Sequence, residues 1–205
     1  MKITKDFEKL ARIANGDYVL DGDLICEDSL EVELDDRLVV RGRVEAKKAI
    51  RVDHTLMAGW GIKAGCGIEA GCGIEAGWGI KAGCGIEAGW GIEAGCGIKA
   101  GWGIEAGCGI KAGEGIEAGW GIKAGCGIEA GCGIKAGEGI EAGCGIEAGC
   151  GIEAKTFISS KKRIFAGLSL YRTSKDCNKK IECAELREGE ICYGDLIITK
   201  AEESK

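Results

Sequence analysis

The 205-residue chain has no proline, one histidine, few aromatic residues and no long apolar run. Thirty-eight glycines without a proline match neither collagen nor a flexible linker. His54, the single histidine, has no serine or cysteine that spacing assigns to it as a catalytic partner, so triad chemistry is not expected. Thirteen cysteines are present without one Cys-X-X-Cys pair, and no metal or cofactor is called for. Charged residues recur too often for a transmembrane span. Residues Met1 to Gly16 mix Lys2, Lys5, Lys9 and Arg12 with acidic side chains and lack the apolar stretch of a secretory leader. The expected location is therefore cytoplasmic, away from membranes, with the cysteines reduced.

What the chain does contain is a six-residue unit, Gly-X-Gly-Ile-(Lys/Glu)-Ala, sixteen times in succession from Gly59 to Ala154. So short a period leaves no room for a helix, and the fixed apolar register argues against disorder. Apolar residues hold the fourth and sixth places beyond the perfect array as well. Upstream these are Leu38/Val40, Val44/Ala46, Ile50/Val52 and Leu56/Ala58; downstream, Ile158/Ser160, Ile164/Ala166 and Leu170. Leu24/Cys26 and Leu30/Val32 read as two earlier units, set off by the extra residues Glu33 and Leu34. Three such sides close an eighteen-residue triangular coil. The expected fold is thus all-β, a single-stranded triangular β-helix, its coils stacked at about 4.8 Å into a rod roughly 37 Å long. The solenoid is assigned to residues 21–172, an N-terminal helical cap to 1–20 and a C-terminal β cap to 173–205.

The second place of each unit is Trp or Cys in most copies but Asp36, Lys48, His54 and Lys162 in flanking ones, which places it outside. A corner must then lie in Gly-X-Gly, with glycine supplying the φ values of a sharp bend. Trp60, Trp78, Trp90, Trp102 and Trp120 are expected on the surface, with Trp60 beneath Trp78, Trp102 beneath Trp120, and Cys108, Cys126 and Cys144 as a third ladder. The fifth place points to solvent. One side carries Lys63, Lys81 and Lys99 and reads as basic; the others carry Glu69, Glu87 and Glu105, and Glu75, Glu93, Glu129 and Glu147, and read as acidic. Residues 59–154 hold 6 basic and 12 acidic groups, a balance that disfavours direct nucleic-acid binding and favours a protein with a basic surface.

Both ends read as capped. Asp6 to Ala14 has the spacing of an amphipathic helix, with Phe7, Leu10, Ala11 and Ile13 on one side and Gly16 ending it. Lys179–Glu185 and Glu190–Thr199 read as two strands of a hairpin or end sheet around Glu188-Gly189. Covered edges point to a finite particle.

The stretch Arg41-Gly-Arg-Val-Glu-Ala-Lys-Lys-Ala-Ile-Arg-Val resembles triangular β-helices of the bactofilin type, over roughly residues 35–172. That resemblance implies a right-handed coil. Read from its alanine, Ala-Gly-X-Gly-Ile-X is also similar, more weakly, to the hexapeptide repeat of left-handed acyltransferase helices, with the large and small places exchanged. Acyltransferase chemistry would need a histidine between subunits, and no extended loop gives His54 that role. The reading is a non-enzymatic rod that holds other proteins, with a homodimer allowed. An alternative is a phage or mobile-element inhibitor of a host protein such as a nucleic-acid-handling enzyme. The candidate binding surface comprises the five tryptophans with Lys63, Lys81 and Lys99.

Overall fold

The computed structural model describes residues 1–167 and 178–199, and all regular structure among them is β. The expected continuation of the repeat through Leu170 to Arg172 lies outside the described residues. The chain opens with β1 (Lys2–Ile3), β2 (Leu10–Arg12), β3 (Tyr18–Leu20), β4 (Leu24–Cys26) and β5 (Leu30–Val32). Strands β6 to β25 follow, three residues each, from Leu38–Val40 to Ile152–Ala154. The last four are β26 (Phe157–Ala166), β27 (Lys180–Cys183), β28 (Glu185–Tyr193) and β29 (Asp195–Ile198).

Strand pairing sets the repeat length. Ile62 lies opposite Ile80, Ile68 opposite Ile86 and Ile74 opposite Ile92, so each strand pairs in parallel with the third strand along. The repeat of the structure is therefore an eighteen-residue coil with three sides, and the six-residue unit is only one side of it. The first coil is longer. Tyr18, Leu24 and Leu30 oppose Leu38, Val44 and Ile50, a step of twenty that absorbs Glu33 and the buried Leu34. One face is a sheet of ten strands from β4 to β29. Its nine steps of about 4.8 Å give a rod of roughly 43 Å.

Only the fourth and sixth places turn inward. Ile62, Ile80, Ile98, Ile116 and Ile134 are each 1% exposed, and the sixth-place alanines between them are buried too. Three isoleucines and three alanines per coil fill an interior too narrow for anything larger, which is why no aromatic ring enters the array core. The corners add a second ladder. The second-place N–H donates to the second-place carbonyl one coil below, as in Trp78 to Trp60 at 3.1 Å and Cys126 to Cys108 at 2.9 Å. Backbone bonding thus runs through the bends as well as the strands.

Glycine serves the corner differently from the expectation. No glycine of the array has positive φ. A Cβ on the first-place glycine would instead lie 1.9 to 2.2 Å from the carbonyl oxygen of the coil beneath, for example Gly107 against Gly89 at 1.9 Å. The third-place glycine is less constrained, Gly109 having 3.4 Å to Gly127 O. Close stacking of corners, not bend conformation, demands the first glycine.

The expected N-terminal helix does not form. Phe7 N–H bonds Thr4 O and Leu10 N–H bonds Phe7 O as isolated turns, after which β2 pairs antiparallel with β3 and β1 pairs parallel with β5. A nine-residue helix gains little by itself, whereas the first coil offers two unpaired edges that these residues satisfy. At the other end, where a hairpin or end sheet was expected, no hairpin forms and the strands build a further parallel coil. β27 stacks on β25, β28 runs through Glu188-Gly189 onto β26, and β29 stacks on β27. Because β26 and β28 pass through a corner without a break, two of the three faces are joined there.

The first two coils are locked by charge. Asp17, Asp21, Asp23, Glu27 and Asp28 pair with Arg37, Arg41, Arg43, Lys47 and Lys48, each twenty residues on. From Asp17 to Asp28 an acidic stretch of the first coil sits on a basic stretch of the second. The best-buried member is Asp17, which accepts both arms of Arg37 at 2.8 and 2.9 Å and is held below the usual carboxylate range by them.

Candidate functional site

Outward-facing side chains occur at two places per unit, and they form two kinds of ladder on each face. The second-place ladder stands on a corner and the fifth-place ladder along the middle of the face. Between them lies the third place, where glycine contributes no side chain, so each face carries a lengthwise trough. The largest, about 1020 Å³, runs from Arg43 and Glu45 to Lys180 and Glu182, floored by Gly61, Gly79 and Gly97 and walled by Trp60, Trp78 and the face's lysines. The others measure about 680 Å³, walled by Trp102 and Trp120, and 560 Å³, beside Trp90. Phe157 closes the upper end of the second, its ring over the Gly139 backbone and capped by the Arg187 guanidinium at 3.6 Å.

All five tryptophans are outside, between 54% and 65% exposed. Trp60 and Trp78 stack with centroids 5.3 Å apart and planes 13° off parallel; Trp102 and Trp120 do so at 5.6 Å and 11°. Stacking covers one face of each ring and leaves the rest to water. The structure also separates the candidates. Only Trp60 and Trp78 share a trough with Lys63, Lys81 and Lys99; Trp102 and Trp120 stand on the next corner and Trp90 on the third. No flat partner reaches all five at once.

The lysine face is less basic than its sequence. Lys63 pairs with Glu45 at 2.8 Å, Lys99 with Glu117 at 2.8 Å and Lys135 with Glu153 at 2.9 Å, so three of its four lysines have a carboxylate one coil away. Lys63 holds the Glu45 carboxyl below its ordinary range, and Glu153 raises Lys135 above its own. Lys81, between Lys63 and Lys99, is the lysine of that ladder without an ion pair among the described residues. The second face orders Glu69, Glu87, Glu105, Lys123 and Glu141, and the third Glu75, Glu93, Lys111, Glu129 and Glu147. Each holds three more acidic than basic groups within the array. Lys123 meets Glu105 at 3.6 Å, Lys111 meets Glu129 at 3.5 Å and Arg51 meets Glu69 at 3.4 Å, leaving Glu87 and Glu141 on the second face and Glu75, Glu93 and Glu147 on the third without an ion pair among the described residues.

One thiol contact, to His54, was not assigned from sequence. His54 is not isolated, since Cys72 Sγ lies 3.9 Å from its Nδ1. The signal was present as a separation of eighteen residues. In the Cys108/Cys126/Cys144 ladder, desolvation and the two neighbouring thiols push Cys126 up, which favours its protonated form. Among the described residues eleven cysteines are free, whereas Cys150 is disulfide-bonded, against the expectation of uniformly reduced thiols. Among the described residues no group of three His, Cys, Asp or Glu is placed to hold a metal ion, and no helix is long and apolar enough to cross a membrane.

Comparison with protein-family models, curated proteins and solved structures gave no match. The resemblances to bactofilins and to hexapeptide-repeat acyltransferases are therefore not upheld. Their carrying feature, a six-residue spacing, reduces to the side length of an eighteen-residue coil, and any triangular parallel solenoid with short sides generates it.

Proposed function

We propose that this chain is a non-enzymatic protein-binding rod, with its tryptophan corners as anchors. The observation that carries the reading is the exposure of all five tryptophans, each more than half open, on a scaffold whose core has no use for them. Rigid aromatic side chains of this kind lose little conformational entropy on binding and bury large apolar area. The acidic balance of the second and third faces favours partners with a basic surface. It also favours a second reading, an inhibitor seated in the basic groove of a nucleic-acid-handling enzyme.

The test compares partners retained from cell extract by the chain and by a W60S/W78S/W102S/W120S variant whose far-UV circular dichroism is unchanged. The proposal expects a specific partner to be lost with the indoles. Identical partner sets for both proteins would end it. Removing one full coil that carries none of the tryptophans, such as residues 125–142, separates the two readings, because a scaffold keeps its partner at shorter reach and a fitted inhibitor loses its target.

A further inference from the structure

Apart from the tryptophans, every exposed large apolar side chain among the described residues lies at one end of the rod or the other. Met1, Ile13 and Ile25 are at the N-terminal end; Tyr193, Leu196 and Ile198 are at the C-terminal end. The two ends are finished differently. At the N-terminal end β1 and the antiparallel β2 cover two of the three edges, and the inward residues of β4, Leu24 and Cys26, are only 3% and 6% exposed. At the C-terminal end no described strand lies beyond the last turn, which consists of β28 on two faces and β29 on the third.

The inward places show the consequence. Leu196 stacks on Ile181 and Ile198 on Cys183; the lower residue of each pair is fully buried, whereas Leu196 is 42% and Ile198 55% exposed. Leu186 and Ile191, which stack on the fully buried Ile158 and Ile164, are partly exposed as well. Among the described residues the core of the solenoid therefore ends in two exposed and two partly buried apolar side chains, with no strand paired to the outer edges of β28 and β29. A stacked coil is the shape that completes it.

We infer that the C-terminal ends of two copies of this chain stack on each other to form a tail-to-tail dimer. One turn of a three-sided coil rises by one strand spacing, a third of it per face. A two-fold axis across the rod, through the face bearing the second half of β28, brings all three edges to strand-pairing distance together. That half of β28 pairs antiparallel with itself, and β29 pairs with the first half of the partner copy's β28. An isologous contact of this type closes at two copies. The N-terminal end does not repeat it, because the antiparallel β2 occupies the position of the next strand. This contact uses none of the tryptophans, so it stands independently of the proposed function.

The experiment is sedimentation or light-scattering mass measurement of the full chain over a range of concentration, beside L196K/I198K and Ile25→Lys variants. Expected are twice the monomer mass for the wild type and for Ile25→Lys, which alters the N-terminal end, and the monomer mass for L196K/I198K. The W60S/W78S/W102S/W120S protein should stay dimeric, which separates this contact from partner binding. A wild-type chain that is monomeric at every concentration overturns the inference. So does a mass rising beyond twofold, or a dimer broken by Ile25→Lys and kept by L196K/I198K. The wild-type series decides the matter even if the double variant misfolds.

Discussion

Replacing either glycine of one corner by alanine should shift stability in opposite directions. In the unit Gly107-Cys108-Gly109, a Cβ on Gly107 would sit 1.9 Å from Gly89 O, well inside any tolerated contact, whereas one on Gly109 would find 3.4 Å to Gly127 O. Relief at Gly107 requires the two corners to part, which strains the bonds from Gly107 N–H to Ala88 O at 3.0 Å and from Cys108 N–H to Trp90 O at 2.7 Å. Two weakened backbone bonds at about 0.5 to 1.5 kcal/mol each put Gly107→Ala about 1 to 3 kcal/mol below the wild type. Gly109→Ala meets no such obstacle, its φ is compatible, and a stiffer unfolded chain should add about 0.4 to 1 kcal/mol. Equilibrium urea unfolding followed by far-UV circular dichroism measures both. Equal effects, or a neutral Gly107→Ala, would refute the idea that close stacking of corners selects the first glycine.

Three other outcomes are expected. Arg37→Met should destabilise the first coil by about 1.5 to 3 kcal/mol, because it removes a bidentate charged pair from the buried Asp17; hydrogen exchange of residues 17–40 would detect it, and unchanged protection would contradict it. Asp17, Asp28, Asp35 and Glu45 are all held below the usual carboxylate range, mainly by hydrogen bonds from Arg37, Lys48, Lys5 and Lys63. Their stabilisation is complete above the unfolded value near about pH 4 and is lost as pH falls through the lower folded values, so acid should open the first coils before the array; exchange at pH 3 that starts in the array would contradict this. Deleting residues 95–100 should leave the fold intact but turn everything above it by one face, placing Trp102 and Trp120 over Trp60 and Trp78 as a ladder of four; near-ultraviolet circular dichroism should show stronger indole coupling than in the wild type.

The coil was legible in the sequence because its two inward places tolerate so few residues. A branched aliphatic residue at the fourth place and a small or aliphatic one at the sixth recur where the chain faces the axis, strictly Ile and Ala in the array, and Glu33-Leu34 betrays the one long coil as an interruption. The outward second place was legible for the same reason in reverse, since Lys48 and Trp60 cannot both be core. What escaped is contact across coils in the divergent ends. The ion-pair stretch requires the twenty-residue step between Asp17 and Arg37, and a period of eighteen does not align them. The supposed helix failed because Phe7, Leu10 and Ile13 satisfy a helical pattern and also suit a chain laid over an open sheet edge. Local pattern cannot distinguish the two when the deciding partner is β3 or β5. The lysine face illustrates a similar limit, because its charge is set by Glu45, Glu117 and Glu153 one coil away.

Within the array each unit is interchangeable with its neighbours as far as the core is concerned, so the core alone cannot hold any unit to a particular face. Every side offers isoleucine and alanine to the axis and glycine to the corner. Registry must come from residues that differ: the charged stretch of the first two coils, the stacked tryptophan pairs, and the fifth-place ion pairs such as Lys99 with Glu117. Each exposed pair is worth little by itself. The first-coil stretch differs in kind, because its five pairs lie at a step of twenty that no slipped array can supply. Register is thus fixed at the N-terminal end, where β1 and β2 also cover two of the three edges, and the units above accept whatever face they are given. A chain built this way can gain or lose whole units without losing its fold. Which side chains share a face is then a property of unit count, and any partner that reads a face constrains that count in steps of eighteen residues.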